Sequence, residues 1–167
     1  MCVVTHPVLL ALAVCIAAAA LEGVLAGPGV RQRFAELRMP RCSPPLAVWI
    51  VIGVAYYVVC FAVLYRLLLL PPGRTRAACL ALLLFVLLAN AFWNYLFFRL
   101  RSLRLSFIAG IPYSLAALGL LALLFGLDRV AAWWLLPYAV YLVYANAWTA
   151  ALLRANPPES AKGPSAA

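Results

Sequence analysis

The chemically most unusual residue is Asn90, a carboxamide inside a long apolar run that covers residues 78–98. Trp93 and Phe97 follow it at i+3 and i+7, spacings that place all three side chains on one face of a helix. A carboxamide surrounded by hydrocarbon must find a hydrogen-bond partner. Two interpretations are open: Asn90 bonds to a neighbouring helix and only holds the structure together, or it anchors the polar group of a ligand in an aromatic pocket.

A second group of aromatic residues recurs at helical spacing near the end of the chain. Its members are Trp134, Tyr138, Tyr141 and Trp148. Such a stripe is usually part of a helix-packing core, but phenol hydroxyls at membrane depth need hydrogen-bond partners. The stripe is therefore a candidate wall for a pocket, with core packing as the alternative.

No constellation typical of a catalytic site is present, so we expect no catalytic residues and no enzyme activity. His6 is the only histidine, and the chain has no carboxylate pair, glycine-rich phosphate loop or nucleophile elbow. The acids are Glu22, Glu36, Asp128 and Glu159, at or beyond the ends of apolar runs. A proton-coupled transporter normally needs ionisable groups buried in the membrane, so the position of these acids argues against that function. For Glu22 we expect an interfacial position or a pairing with a loop arginine, with a proton relay as the alternative.

The cysteines give no sign of a disulfide framework or a metal site. They are Cys2, Cys15, Cys42, Cys60 and Cys79. No CxxC spacing occurs, and an odd number cannot pair completely. We therefore expect neither a disulfide framework nor a bound metal.

Five apolar runs must position these residues, at about 8–26, 46–70, 78–98, 107–127 and 131–153. Each approaches or exceeds the roughly 20 residues that a membrane-spanning helix needs, and none alternates as a barrel strand would. The chain is 68% hydrophobic and 10% charged, with a mean hydropathy of +1.06. The sequence predicts an all-α integral membrane protein, a five-transmembrane-helix bundle in a single domain over residues 1–156. A disordered tail is expected over residues 157–167.

The positive charge is concentrated in the connections between these runs. If each run crosses the membrane once, nine basic residues lie on one side of it: Arg31, Arg33, Arg38, Arg41, Arg99, Arg101, Arg104, Arg154 and Lys162. Arg66, Arg74, Arg76 and Arg129 fall on the other. The positive-inside rule then predicts a cytoplasmic C-terminus and an external N-terminus. The basic groups would meet anionic lipid headgroups of the bilayer, and no nucleic-acid partner is expected. The first run could instead be a signal peptide, although no Lys or Arg precedes it.

The first connection, residues 27–45, is a candidate lid. It is the longest interior connection, and it combines a short amphipathic stretch around Phe34 with prolines at positions 40, 44 and 45. Prolines this close together prevent a regular helix and stiffen the approach to the next span. Long connections often carry function, but a plain turn into the second span is the alternative.

These motifs resemble the tryptophan-rich sensory protein and translocator protein family, also called the peripheral-type benzodiazepine receptor family. The family's first-loop pattern is matched by Leu37, Pro40, Ser43, Pro44 and Pro45, with Arg41 and Cys42 at two tryptophan positions. Its second-helix aromatic residues correspond to Trp49 and Tyr57, with Gly53 in place of a tryptophan. Asn90, Trp93, Phe97 and Phe98 match the third-helix pattern. Asp128, Trp133, Pro137, Tyr138, Arg154 and Asn156 match the fifth-helix pattern, with Tyr141 replacing a tryptophan.

The resemblance implies a receptor or translocator whose loop closes over a cavity for a hydrophobic ligand. A tetrapyrrole (haem or protoporphyrin) is the first candidate ligand, and sterols or benzodiazepine-type compounds are further ones; no cofactor is obligatory. The ligand-binding residues would be Trp49, Tyr57, Asn90, Trp93, Phe97 and Tyr141. The lid residues would be Arg38, Pro40, Arg41, Pro44 and Pro45. Arg38 and Arg41 could pair with ligand propionates at the mouth, or they could be ordinary solvated arginines.

Two other functions and three kinds of membrane stay open. The chain could promote light- or oxygen-dependent porphyrin breakdown, as has been suggested for similar proteins, or it could be a structural membrane subunit whose aromatic stripes form a homodimer seam. The membrane would be the bacterial inner membrane, the mitochondrial outer membrane or another organellar membrane.

Overall fold

The computed structural model describes residues 5–41 and 43–157, so predictions for Cys2, Cys42 and nearly all of the tail lie outside it. The helices are α1 (Thr5–Ala26), α2 (Val30–Glu36), α3 (Leu46–Leu69), α4 (Arg74–Asn94), α5 (Leu103–Leu127) and α6 (Arg129–Ala155). A π-helical turn, Tyr95–Arg99, continues α4. The described residues contain no strand. The prediction of an all-α protein is confirmed.

Five of these helices are long and apolar enough to cross a bilayer: α1, α3, α4 with its π turn, α5 and α6. Most large apolar side chains on their outer faces are exposed, as lipid contact requires. The protein is therefore an integral, multi-pass membrane protein with a lipid bilayer as its surroundings. The helix α4 begins at Arg74 and α5 at Leu103, four residues earlier than the apolar runs predict in each case. Arginines delimit an apolar run, but they do not stop a helix, because their long side chains can reach the headgroups.

The spanning helices form a closed ring in the order α1, α3, α6, α5, α4, with α4 again contacting α1. One half of the bundle is filled by aliphatic side chains. Its fully buried members include Val63, Leu67, Leu83, Leu120, Leu124 and Leu135. The other half lies next to the first connection and next to the third, which joins the π turn to α5. It contains a separate aromatic cluster around Phe97 and Trp148. The buried thiols of Cys15, Cys60 and Cys79 are free, so no disulfide joins these three.

A bidentate ion pair closes the aliphatic half at its membrane surface. The Arg66 guanidinium donates from Nε to Asp128 Oδ2 at 2.7 Å and from Nη2 to Oδ1 at 3.0 Å. Asp128 also caps α6 by accepting from the backbone N–H groups of Val130 and Ala131. Burial acts to raise the pKa of Asp128, but these hydrogen bonds and the Arg66 charge outweigh it and hold the pKa below its usual range.

Candidate ligand-binding cavity

A cavity of about 430 Å³ opens in the aromatic half of the bundle. Its walls come from the C-terminal part of α1, the N-terminal half of α3, the end of α4 with the π turn, and the C-terminal half of α6. The helix α2 adds Val30 and Phe34, whereas α5 adds nothing to the lining. The volume lies within the range of about 300–1,000 Å³ that is typical of small-molecule sites.

The structure places all six sequence-predicted ligand residues around this one cavity. They are Trp49, Tyr57, Asn90, Trp93, Phe97 and Tyr141. The rings of Trp93 and Phe97 are stacked, with centroids 4.9 Å apart and planes 13° from parallel. Trp49 lies across from them, edge-on to Tyr141 at 6.4 Å. Flat aromatic walls of this kind suit a flat apolar ligand.

The π turn brings two consecutive phenylalanines to the cavity. Both Phe97 and Phe98 line it, and their centroids are 4.9 Å apart. Consecutive side chains on an α-helix diverge by about 100°, so a regular helix would direct one of the two away. Extra residues in a π-helical turn are frequent at functional sites. The sequence pattern predicted Phe97 on the face of Asn90, but it contained no signal for the π turn.

A carboxylate, Glu22, forms the polar floor of the cavity. Its Oε2 accepts hydrogen bonds from the Tyr57 hydroxyl at 2.6 Å and from Asn90 Nδ2 at 2.7 Å. The Asn90 carbonyl oxygen accepts from the Tyr113 hydroxyl at 3.4 Å, and the Tyr113 and Tyr138 hydroxyls are bonded to each other. This polar cluster joins all five spanning helices. The Asn90 side chain therefore bonds to neighbouring helices and lines the cavity at the same time.

The expected pairing of Glu22 with a loop arginine is wrong for the described residues, where the acid forms no ion pair. The helix α1 continues to Ala26, so Glu22 lies a full turn inside its end, and Tyr57 and Asn90 supply its hydrogen bonds. The available signal was an acid in an apolar run with no Lys or Arg three or four residues away.

The first connection covers the cavity with α2. Phe34, on the inner side of this helix, lies 6.5 Å from Trp49, 6.3 Å from Phe97 and 5.9 Å from Phe98, centroid to centroid. Phe34 was recognised in the sequence as part of an amphipathic stretch, but not as a site residue. It brings an aromatic ring of the connection against the cavity walls.

Four contacts hold this connection over the cavity, and the first two involve Arg101. The Arg33 guanidinium donates to the backbone carbonyl of Arg101 at 2.7 Å, and the Arg101 side chain pairs with Glu36 at 3.1 Å. Arg101 has a positive φ of 55°, which the adjoining turn imposes on it.

The other two contacts involve α6 and its C-terminal end. The Asn156 side chain accepts from the Arg38 backbone N–H at 2.9 Å and donates to the Arg38 carbonyl at 3.0 Å. Trp148 Nε1 donates to Ser43 Oγ at 2.7 Å. These contacts make the connection a closed cover whose opening would require breaking several hydrogen bonds.

None of the predicted lid residues lines the cavity. Pro40, Pro44 and Pro45 shape the chain before α3, which begins directly after Pro45. The side chains of Arg38 and Arg41 are exposed. Their pairing with acidic groups of a ligand at the mouth stays a prediction.

A smaller cavity of about 70 Å³ lies behind Asn90, between α4, α5 and α6. Its lining includes the polar side chains of Ser106, Ser114, Asn146 and Thr149. Gly110 packs closely here, because an added Cβ would lie 3.1 Å from Asn146 Oδ1 and the Asn146 side chain would have to shift. The size and polarity suit bound water rather than an organic ligand.

The described residues contain no group of three or more His, Cys, Asp or Glu side chains that could hold a metal ion. The lining of the large cavity includes no histidine, cysteine or methionine. Haem would therefore be held there through its ring, without the axial ligands most common in haem proteins.

Comparison with known proteins agrees with the resemblance that the motifs indicate. Comparison with curated protein sequences gives no match. The sequence profile of the TspO/MBR family, however, matches residues 11–154, from within α1 almost to the end of α6. This span covers most of the 167-residue chain and includes every residue of the cavity lining. The chain belongs to the TspO/MBR family.

Proposed function

We propose that this protein binds a flat hydrophobic ligand reversibly in the large cavity, and that a tetrapyrrole (haem or protoporphyrin) is the first candidate. Family membership supports a ligand-binding or translocator-like role in the membrane. The observation that carries the proposal is the convergence of Trp49, Trp93, Phe97 and Tyr141 on one cavity of about 430 Å³ beneath a closed cover.

The cavity walls would act mainly through apolar contact and ring stacking. Each stacked pair of aromatic rings contributes about 0.5–1.5 kcal/mol beyond the burial of its area. Trp93 and Phe97 are already stacked on each other, so the wall does not need to be ordered when the ligand arrives. The cover then sets how fast a ligand enters and leaves.

We propose binding rather than catalysis as the function. The described cavity lining contains one carboxylate and no histidine, so it lacks the side chain that serves most often in acid–base catalysis. Porphyrin breakdown would instead need only tryptophans near a photosensitiser. Illuminating protoporphyrin with and without the protein separates the two functions: protein-dependent products would favour breakdown.

The cavity half of the bundle would face the cytoplasm, with the N-terminus outside. This orientation rests on the positive-inside rule and on the arginines around the first and third connections. The bacterial inner membrane and the mitochondrial outer or another organellar membrane are the candidate locations. Protease accessibility of a tag added at the C-terminus, in sealed vesicles of known sidedness, would test the orientation.

The experiment that tests the proposal is a protoporphyrin IX titration of the purified protein in lipid nanodiscs, followed by the porphyrin absorption spectrum. Trp93→Ala removes a cavity wall, and Trp133→Ala removes an exposed tryptophan at the far end of α6 as the matched control. We expect saturable binding that Trp93→Ala weakens and Trp133→Ala does not. Equal, nonsaturable partitioning in all three proteins would reject the proposal. Saturable binding of only a sterol or a benzodiazepine-type compound would identify that class of compound, instead of a tetrapyrrole, as the ligand. A stable homodimer that binds none of these compounds would favour a structural role.

A further inference from the structure

Among the residues that the structure describes, Glu22 is the only Asp, Glu, Lys, Arg or His in the lining of the large cavity. The remaining lining residues are apolar, aromatic or neutral and polar. A carboxylate at membrane depth is costly to maintain. Its hydrogen bonds to Tyr57 and Asn90 connect three helices, and its position beside the aromatic walls also places it within reach of a bound ligand.

The hydrogen bonds of Glu22 leave half of the carboxylate available. Oε2 accepts from both Tyr57 and Asn90, whereas no described residue donates to Oε1. An ionised carboxylate offers about four acceptor positions, of which two are used. Both neighbours donate to the carboxylate, and both bonds end on the same oxygen atom.

No basic side chain of the described residues neutralises this carboxylate. The ion pairs in the described part of the chain involve Glu36 and Asp128 instead. Arg99 approaches the same end of α1, but its guanidinium donates to the Val24 carbonyl at 3.4 Å and forms no ion pair with Glu22. The cavity thus combines an unneutralised acid with aromatic rings, whose faces also attract cations.

We propose that the cavity selects hydrophobic ligands that carry a protonated amine, and that the Glu22 carboxylate receives this ammonium group. The inference rests on the proposed function, because it requires that the cavity binds a flat apolar ligand, and it adds the polar group which that ligand should carry. The ring system would lie between Trp49 and Trp93, and the ammonium would donate to the free acceptor positions of Glu22. A ligand that presents a carboxylate at this depth would be repelled.

Three pyrene derivatives of matched shape provide the test: 1-pyrenemethylamine, 1-methylpyrene and 1-pyreneacetate. The first is protonated at pH 7, because alkylamines resemble lysine with a pKa of about 10. Binding is measured by energy transfer from tryptophan to pyrene in zwitterionic nanodiscs, with empty nanodiscs as the blank. We expect the ammonium to bind at least about tenfold tighter than 1-methylpyrene, which is the lower end for a hydrogen bond to a charged group, and we expect the acetate to bind most weakly.

Glu22→Gln should abolish the preference for the ammonium, which is read as the ratio of the Kd values for 1-methylpyrene and 1-pyrenemethylamine in the same variant. Tyr57→Phe is the matched control, because it removes one hydrogen bond to Glu22 but keeps the charge; the preference should persist. If Glu22→Gln does not fold, Glu22→Asp, which keeps the charge, should retain the preference.

Equal affinities of the wild-type protein for 1-pyrenemethylamine and 1-methylpyrene would overturn the inference and leave the proposed function standing. The same holds if the ammonium preference survives in Glu22→Gln. If none of the three compounds binds saturably although protoporphyrin IX does, the inference is overturned and the proposed function stands; if protoporphyrin IX does not bind saturably either, the proposed function fails with it.

Discussion

Asn90 Nδ2 lies 2.7 Å from Glu22 Oε2, and this hydrogen bond joins the third spanning helix to the first inside the membrane. The same asparagine accepts a hydrogen bond from Tyr113 through its carbonyl oxygen. One amide thus uses both of its ends to connect three helices, while it also lines the large cavity. Stability and ligand binding therefore depend on the same side chain.

Replacing Asn90 by alanine should reduce both properties. Glu22 would lose one of its two donors and Tyr113 an acceptor, and a buried polar group left without its partner costs about 1–3 kcal/mol. We expect a lower apparent Tm in detergent and weaker protoporphyrin binding, but a folded protein. Asn146→Ala is the control, because Asn146 is also a membrane-embedded amide but lies outside the large cavity. An unchanged Tm together with unchanged affinity for Asn90→Ala would contradict the assigned role.

Gly53 offers a way to fill the cavity without disturbing its walls. A Cβ at this position would meet no atom within 4 Å, although the residue lines the cavity. Gly53→Leu should therefore fold normally while it occupies space that the ligand needs, so that the Kd for protoporphyrin rises about tenfold or more, as expected when a ligand loses part of its apolar contact. Gly119→Leu is the matched control, because Gly119 also has open space but does not line the cavity. Equal titration curves for the two variants would place the ligand elsewhere.

The hydrogen bond from Trp148 Nε1 to Ser43 Oγ should slow ligand release. Trp148→Phe keeps an aromatic ring but removes the donor, and Ser43→Ala removes the acceptor. Because a hydrogen bond contributes about 1 kcal/mol, either change should speed dissociation roughly fivefold, as measured by stopped-flow displacement of bound porphyrin. The double variant should dissociate no faster than the single ones, since both remove the same contact. Fully additive effects would show that the two residues act separately.

The Arg66–Asp128 pair predicts a pH dependence of stability. Because the pKa of Asp128 in the folded protein lies below its value of about 3.9 in an unfolded chain, the stabilisation is complete above that value and is lost as the pH falls through the lower, folded pKa. Asparagine caps a helix as well as aspartate does, so Asp128→Asn removes mainly the ion pair, in which the Asp128 side chain is 7% exposed and that of Arg66 is 36% exposed, and it should cost about 1 kcal/mol at pH 7. Apparent Tm values between pH 7 and pH 3 would measure both effects. If the Tm of Asp128→Asn falls on acidification as much as that of the wild-type protein, a group other than Asp128 causes the pH dependence.

The sequence was sufficient to predict the five spans and the six aromatic and polar residues that converge on the cavity. The hydropathy of a segment depends only on its own residues, so the spans can be recognised without knowledge of the tertiary structure. Helix ends were less predictable, because Arg74 and Leu103 begin helices outside the apolar runs. The spacing of Asn90 and Trp93 was informative because helical periodicity fixes which side chains share a face.

The roles of Glu22, Phe34 and Phe98 could not be predicted in the same way. The position of Glu22 in the cavity depends on which helices are neighbours in the ring, and Phe34 reaches the cavity only because the first connection folds back over it. Phe98 lines the cavity through the π turn, which depends on the local backbone rather than on residue spacing. Conversely, Arg38 and Arg41 lie within the lid motif, Arg41 at one of its tryptophan positions, but both side chains are exposed and neither lines the cavity.

The most direct test of the central claim is a protoporphyrin IX titration of a Trp133→Phe/Trp134→Phe variant in nanodiscs, followed by tryptophan fluorescence. The three remaining tryptophans, Trp49, Trp93 and Trp148, all line the cavity. Our account predicts saturable quenching with one porphyrin per chain, which Gly53→Leu weakens in the same background. Linear quenching that Gly53→Leu leaves unchanged would mean partitioning into the lipid and would contradict a ligand-binding cavity for tetrapyrroles.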